Sequence, residues 1–149
     1  MKKLIGLAAV AAIAVPTTAL GAASRSTSGT VWAHITHTSN GFLYVSGDIS
    51  DKVLGKGAIV YLTKPSGQSD GSILVKATKI TIYTAGGSLT GSGQATQTIS
   101  GSTSTVSNGS FSLTKGTGTL KGRTMKGTFK GTQDDQGVYT FKYTGKIKG

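Results

Sequence analysis

Histidine at positions 34 and 37 and aspartate at 48, 51, 70, 134 and 135 are the side chains best suited to acid–base or metal chemistry in a sequence without cysteine or glutamate. His34, His37 and Asp48 make the candidate catalytic cluster. A two-residue turn at Asn40-Gly41 would pair His37 with Tyr44 and His34 with Gly47, beside Asp48. Histidines three apart on a strand face opposite sides, so they do not form a two-histidine metal pair unless a bulge intervenes. No serine near them stands out as a nucleophile, which leaves parts of a triad without its spacing. Asp48 and Asp51 straddle a turn, but their spacing is not that of an EF-hand loop. Asp134-Asp135 reads as turn chemistry. The glycines of 116–122 open no helix and lack the Gly-Lys-Ser/Thr ending of a phosphate loop. No catalytic residue, metal ligand or cofactor is therefore assigned, and the residues lean away from an enzyme.

Charge carries more information. Sixteen Lys and Arg stand against five aspartates, and without Lys2 and Lys3 the net charge is still about +9. From Ile80 to Thr114 no side chain is charged, whereas from Lys115 onward there are eight basic residues against Asp134 and Asp135. Such a segregated field attracts polyanions. The expected partners are an anionic polysaccharide, a cell-wall polymer or an anionic membrane surface, with Lys126, Lys130, Lys142 and Lys146 as binding residues. The same lysines also have a plainer use, since Lys on strands blocks edge-to-edge aggregation. Sequence-specific nucleic-acid reading is disfavoured. Tyr139, Phe141 and Tyr143 alternate with the lysines and so point the opposite way, whereas a stacking platform needs aromatic and basic groups together. These aromatics, and Trp32, read as core or rim residues.

The elements that must position these groups have a period of two. Thr30–Thr38 and Phe42–Ser50 flank Asn40-Gly41, the strongest short hairpin signal. Strands follow at 58–64, 72–84 (broken near 76–78) and 88–99, and Ser102–Leu113 is split by a second expected turn at Asn108-Gly109. The last strand, Val138–Lys148, puts Tyr139, Phe141, Tyr143 and Ile147 on one face and Lys142, Lys146 and Lys148 on the other. No stretch keeps helical spacing over three turns. The expectation is all-β: an antiparallel up-and-down barrel of about eight or more strands, or else a two-sheet sandwich. Gly91, Gly93, Gly127 and Gly131 inside strands favour the barrel, because tight coiling needs residues without a Cβ. An outer-membrane barrel would need an outward apolar band with aromatic girdles. The non-core positions here hold Lys, Thr and Ser instead.

Residues 1–23 read as a cleaved secretory signal peptide. Lys2 and Lys3 precede the apolar run Leu4–Val15, Pro16 ends it, and Gly21 and Ala23 satisfy the small-residue rule before Ser24. Twelve apolar residues span about 18 Å of helix, short of a hydrocarbon core of about 30 Å. No membrane-spanning segment is expected after cleavage. The mature chain is then a flexible lead-in at 24–30 and a single domain at 31–149, secreted, or periplasmic where the envelope has two membranes.

The stretch Thr114–Phe129, with Gly116-Thr117-Gly118 and Gly122, resembles a glycine-rich segment of the allene oxide cyclase and dirigent barrel families, with Gly127 two positions late. That resemblance implies an eight-stranded barrel. The buried polar groups those enzymes use match no position here, so it implies no activity. The whole chain also resembles small secreted bacterial proteins rich in Gly, Thr and Ser, which implies a class and no function. Three readings remain: a secreted non-enzymatic module binding an anionic partner through a basic β-surface, an isomerase- or cyclase-like barrel, and a self-associating surface protein.

Overall fold

The computed structural model describes residues 23–149, so the signal-peptide reading falls almost wholly outside the described residues. Eight strands follow in order: β1 Arg25–Ser39, β2 Phe42–Asp51, β3 Gly55–Gly67, β4 Ile73–Thr84, β5 Gly87–Ser100, β6 Thr103–Gly116, β7 Thr124–Gln133 and β8 Tyr139–Lys148. Each pairs antiparallel with the next, and β1 pairs with β8, which closes an up-and-down barrel and removes the sandwich alternative. The β1–β2, β3–β4, β5–β6 and β7–β8 connections share the upper end. The other connections, with the start of β1 and the end of β8, share the lower end.

Alternation sorts side chains between wall and core. Val31, Val45, Ile49, Ile59, Ile82 and Ile147 join one buried cluster. On β8, Tyr139, Tyr143 and Ile147 are buried while Lys142, Lys146 and Lys148 are exposed, as their parity dictates. A 3-10 turn at Gly118–Leu120 folds under the lower end. It is held by the Thr117 and Thr119 amides donating to the Ser88 and Gly86 carbonyls at 2.9 and 2.8 Å. Its buried Leu120 stops the barrel there.

Two expectations need correction. Residues 25–30 are not a lead-in. They begin β1 and run opposite β8 from Arg25↔Ile147 to Thr30↔Lys142, and the buried Thr27 is anchored by hydrogen bonds in place of apolar packing. Asn108-Gly109 is not a turn either. It lies inside β6 at a bulge against β7, with Asn108 at φ 51°, while the chain reverses at Gly101-Ser102. Val106 and Phe111 are five apart and would face opposite sides on a regular strand. One extra residue in the left-handed region returns both to the interior. Asn40-Gly41 does make the expected turn, with φ 52° and 77° and Ser39 opposite Phe42.

Coiling relies on glycine at close approaches. A Cβ on Gly127 would run into the Thr144 carbonyl oxygen and lie 2.7 Å from Phe111 Cζ and 2.8 Å from Gly145 Cα. Gly127→Ala is therefore expected to cost about 3 kcal/mol by overpacking. Gly67→Ala, where nothing lies within 4 Å, should be close to neutral. Urea midpoints compare the two, and equal midpoints would refute this role for Gly127.

Candidate functional site

The register of β7 on β8 assembles the lysines. Lys126 lies opposite Lys146 and Lys130 opposite Lys142, with Thr128 opposite Thr144 between them. All four lysines are exposed. Directly opposed residues hold their Cβ atoms about 5 Å apart, and the two pairs are about 13 Å apart along the strands. Hydroxyl side chains border this ridge: Ser26, Ser28 and Thr30 of β1 oppose Lys146, Thr144 and Lys142, and Ser112 of β6 opposes Lys126. None of β1, β6, β7 or β8 carries a carboxylate. Asp134, in the β7–β8 turn, accepts from the amides of Gln136 and Val138 at 3.0 and 2.8 Å and caps that turn.

The histidine cluster comes out differently. A bulge at Thr36 shifts the register, so His37 meets Tyr44 as expected but His34 meets Ser46 rather than Gly47. Tyr44 and Ser46 are two apart on β2, so His34 and His37 share the outer face instead of opposing ones. Both are exposed, as is Asp48, which lies opposite Trp32. The His37 ring packs against Tyr44 with centroids 5.4 Å apart. Among the described residues no three His, Cys, Asp or Glu side chains gather as a metal site. Trp32 is 46% exposed on the outer wall, not in the core.

Asp51 is the polar residue whose place sequence reasoning missed. It is buried, and its carboxylate accepts from Thr27 Oγ1 at 2.7 Å, from the Val53 and Leu54 amides at 2.7 Å and from the Tyr143 hydroxyl. It is an internal staple joining β1, the β2–β3 connection and β8, neither a solvated turn nor half of a calcium pair.

The barrel axis is not filled. A cavity of about 120 Å³ lies inside, with lining from all eight strands that includes Ile59, Ile80, Phe111 and Phe129. Tyr61, Thr63, Gln97 and Tyr139 bring polar atoms to it. Towards the upper end, Gln97 Nε2 donates to Ser104 Oγ at 2.7 Å and Ser104 Oγ to Gln133 Oε1 at 3.3 Å.

Three phenols are raised above their ordinary range, Tyr61 and Tyr143 the most. Burial raises Tyr61, with a smaller contribution from Tyr139. Burial raises Tyr139 against a lowering hydrogen bond with Gln97. Burial, then the hydrogen bond to Asp51 and its charge, raises Tyr143. A raised folded-state pKa holds its proton more tightly than the unfolded chain does. The stability it brings is complete below the unfolded value near 10 and is lost as pH climbs above it. Tyr61 alone then removes up to about 1.4 kcal/mol per pH unit. Unfolding free energy measured at pH 8 and pH 11 should fall steeply, with Tyr61→Phe flattening the slope. A flat profile in the parent protein would refute the assignment.

No family model, curated protein or solved structure matches this chain.

Proposed function

We propose that this protein is a secreted, non-enzymatic binding module that engages an anionic extracellular polymer or surface through the β7–β8 wall. The observation that carries this reading is the in-register opposition of Lys126 with Lys146 and Lys130 with Lys142, with no carboxylate on either strand or on their neighbours. Like charges set directly opposite one another cost stability. Lysines that served solubility alone would lose nothing by being staggered or interleaved with acids. Flanking hydroxyls suit sulfate, phosphate or carboxylate oxygens, which accept hydrogen bonds from both ammonium and O–H groups. The β7–β8 wall supports an aqueous setting, since its outward rows of Lys and Thr are the reverse of a lipid-facing band, while the exposed Trp32, Tyr44, Val60 and Tyr83 lie on β1–β4.

A cyclase- or isomerase-like activity finds less support. The cavity lining holds neither histidine nor carboxylate, and His34 and His37 stand outside it. The test of the proposal is retention on immobilised heparin and on vesicles containing anionic lipid. Retention at low salt should collapse as ionic strength rises, because exposed charges are screened. Retention independent of salt, or none at low salt, overturns the proposal.

A further inference from the structure

We propose that the barrel interior is a second, separate binding site, for a small neutral molecule of about one aromatic or alicyclic ring that bears a single hydroxyl or carbonyl group. The cavity is built asymmetrically. On β4 and β5 its wall includes a patch of small residues in register, Ala77 opposite Gly93 and Val75 opposite Ala95, beside Ile80 and Ile82. On β6, β7 and β8 it is aromatic. Phe111, Phe129 and Phe141 form a chain of tilted and edge-on contacts with centroids 6.5 and 5.5 Å apart, and Tyr139 stacks on Phe141 at 5.6 Å. A space between an aromatic wall and a patch of small residues is one that a ring fills with edge and face contacts.

The chemistry of the lining narrows the occupant. The wall holds no ionisable side chain apart from its tyrosines. A charged guest would lose its hydration without a counter-charge. The volume, about 120 Å³, approaches the roughly 150 Å³ at which a dry protein cavity takes up benzene. Tyr61 supplies the directional element. Its side chain lines the cavity, and burial and the neighbouring Tyr139 account for its raised pKa without any hydrogen bond. Gln97, Ser104 and Gln133 satisfy one another at the upper end. A guest oxygen in the slot therefore has the Tyr61 hydroxyl within the lining as a partner, with Thr63 on the same strand.

The probes are phenol, benzene and benzoate, added to the full secreted chain and followed by methyl NMR shifts of Ala77, Ala95 and Val106. Phenol and benzene should shift these signals saturably, and benzoate should not. Tyr61→Phe should weaken phenol by up to about tenfold while leaving benzene unchanged, since one neutral hydrogen bond is lost. Ala95→Leu, which fills the slot, should abolish both. If it does not fold, Val75→Phe on the same wall gives the same readout. Retention on heparin should be unaltered by Tyr61→Phe, so this site and the lysine wall fail independently. Shifts confined to the outer wall, equal binding of benzoate, or phenol affinity untouched by Tyr61→Phe would each overturn the proposal.

Discussion

Asp51→Ala is expected to lower the unfolding free energy by about 4 kcal/mol, the cost typical of breaking a buried, fully engaged charged group. The truncation removes the acceptor of the buried Thr27 and Tyr143 hydroxyls and of the half-buried Val53 and Leu54 amides. Tyr143→Phe removes one of these donors and leaves the carboxylate with the other three, so its cost should be about 1 kcal/mol. The tyrosine reaches Asp51 only because position 29 lacks a side chain, since a Cβ there would meet the Tyr143 hydroxyl and the Ser50 carbonyl. Urea unfolding at neutral pH separates the two variants. A loss below about 1 kcal/mol for Asp51→Ala would mean that water enters and replaces the carboxylate, and the staple would then be incidental.

The second large effect concerns binding. Converting Lys126, Lys130, Lys142 and Lys146 together to glutamine should weaken attachment to an anionic surface by about a thousandfold at low salt, at about 1 kcal/mol per lysine. The fold should hold or become slightly more stable, because two like-charge cross-strand pairs disappear. The decisive control changes net charge by the same amount elsewhere. Lys56, Lys64, Lys76 and Lys79 are exposed on β3 and β4, and their conversion to glutamine should cost far less affinity. Equal losses in both variants would show that only total charge matters, and the β7–β8 wall would lose its claim.

Much of this architecture could be read from alternation alone. Tyr139, Phe141 and Tyr143 point inward and Lys142 and Lys146 outward because solvent sorts a period-two strand, and the type of each residue states its side. Asn40-Gly41 also declared itself, because a tight hairpin turn asks for positive φ at both positions. Asn108-Gly109 offered the same letters, but its strands continue past it. The distinction between turn and bulge is set by β5 and β7 on either side, which no local window contains. The bulge at Thr36 put His34 and His37 on one face for the same reason. The segment 25–30 lacked an apolar pattern because its burial is polar: Thr27 is held by Asp51, 24 residues on. The lysine ridge was visible as composition, but the direct opposition of its members depended on register. The cavity was invisible, since an unfilled volume has no residue of its own.

The seam between β1 and β8 sets Arg25 against Ile147 and Ala33 against Tyr139. A chain made from its N-terminus must carry β1 with one row of amides and carbonyls unsatisfied until the final ten-residue strand has emerged. Such distant pairing raises contact order and slows closure, and an open row of that kind is a template for a second copy. The first six residues of that row, Arg25-Ser-Thr-Ser-Gly-Thr30, offer no apolar grip to a visitor. The same plain composition that hides these residues from a reader of the sequence protects their part of the row while it waits to zip shut.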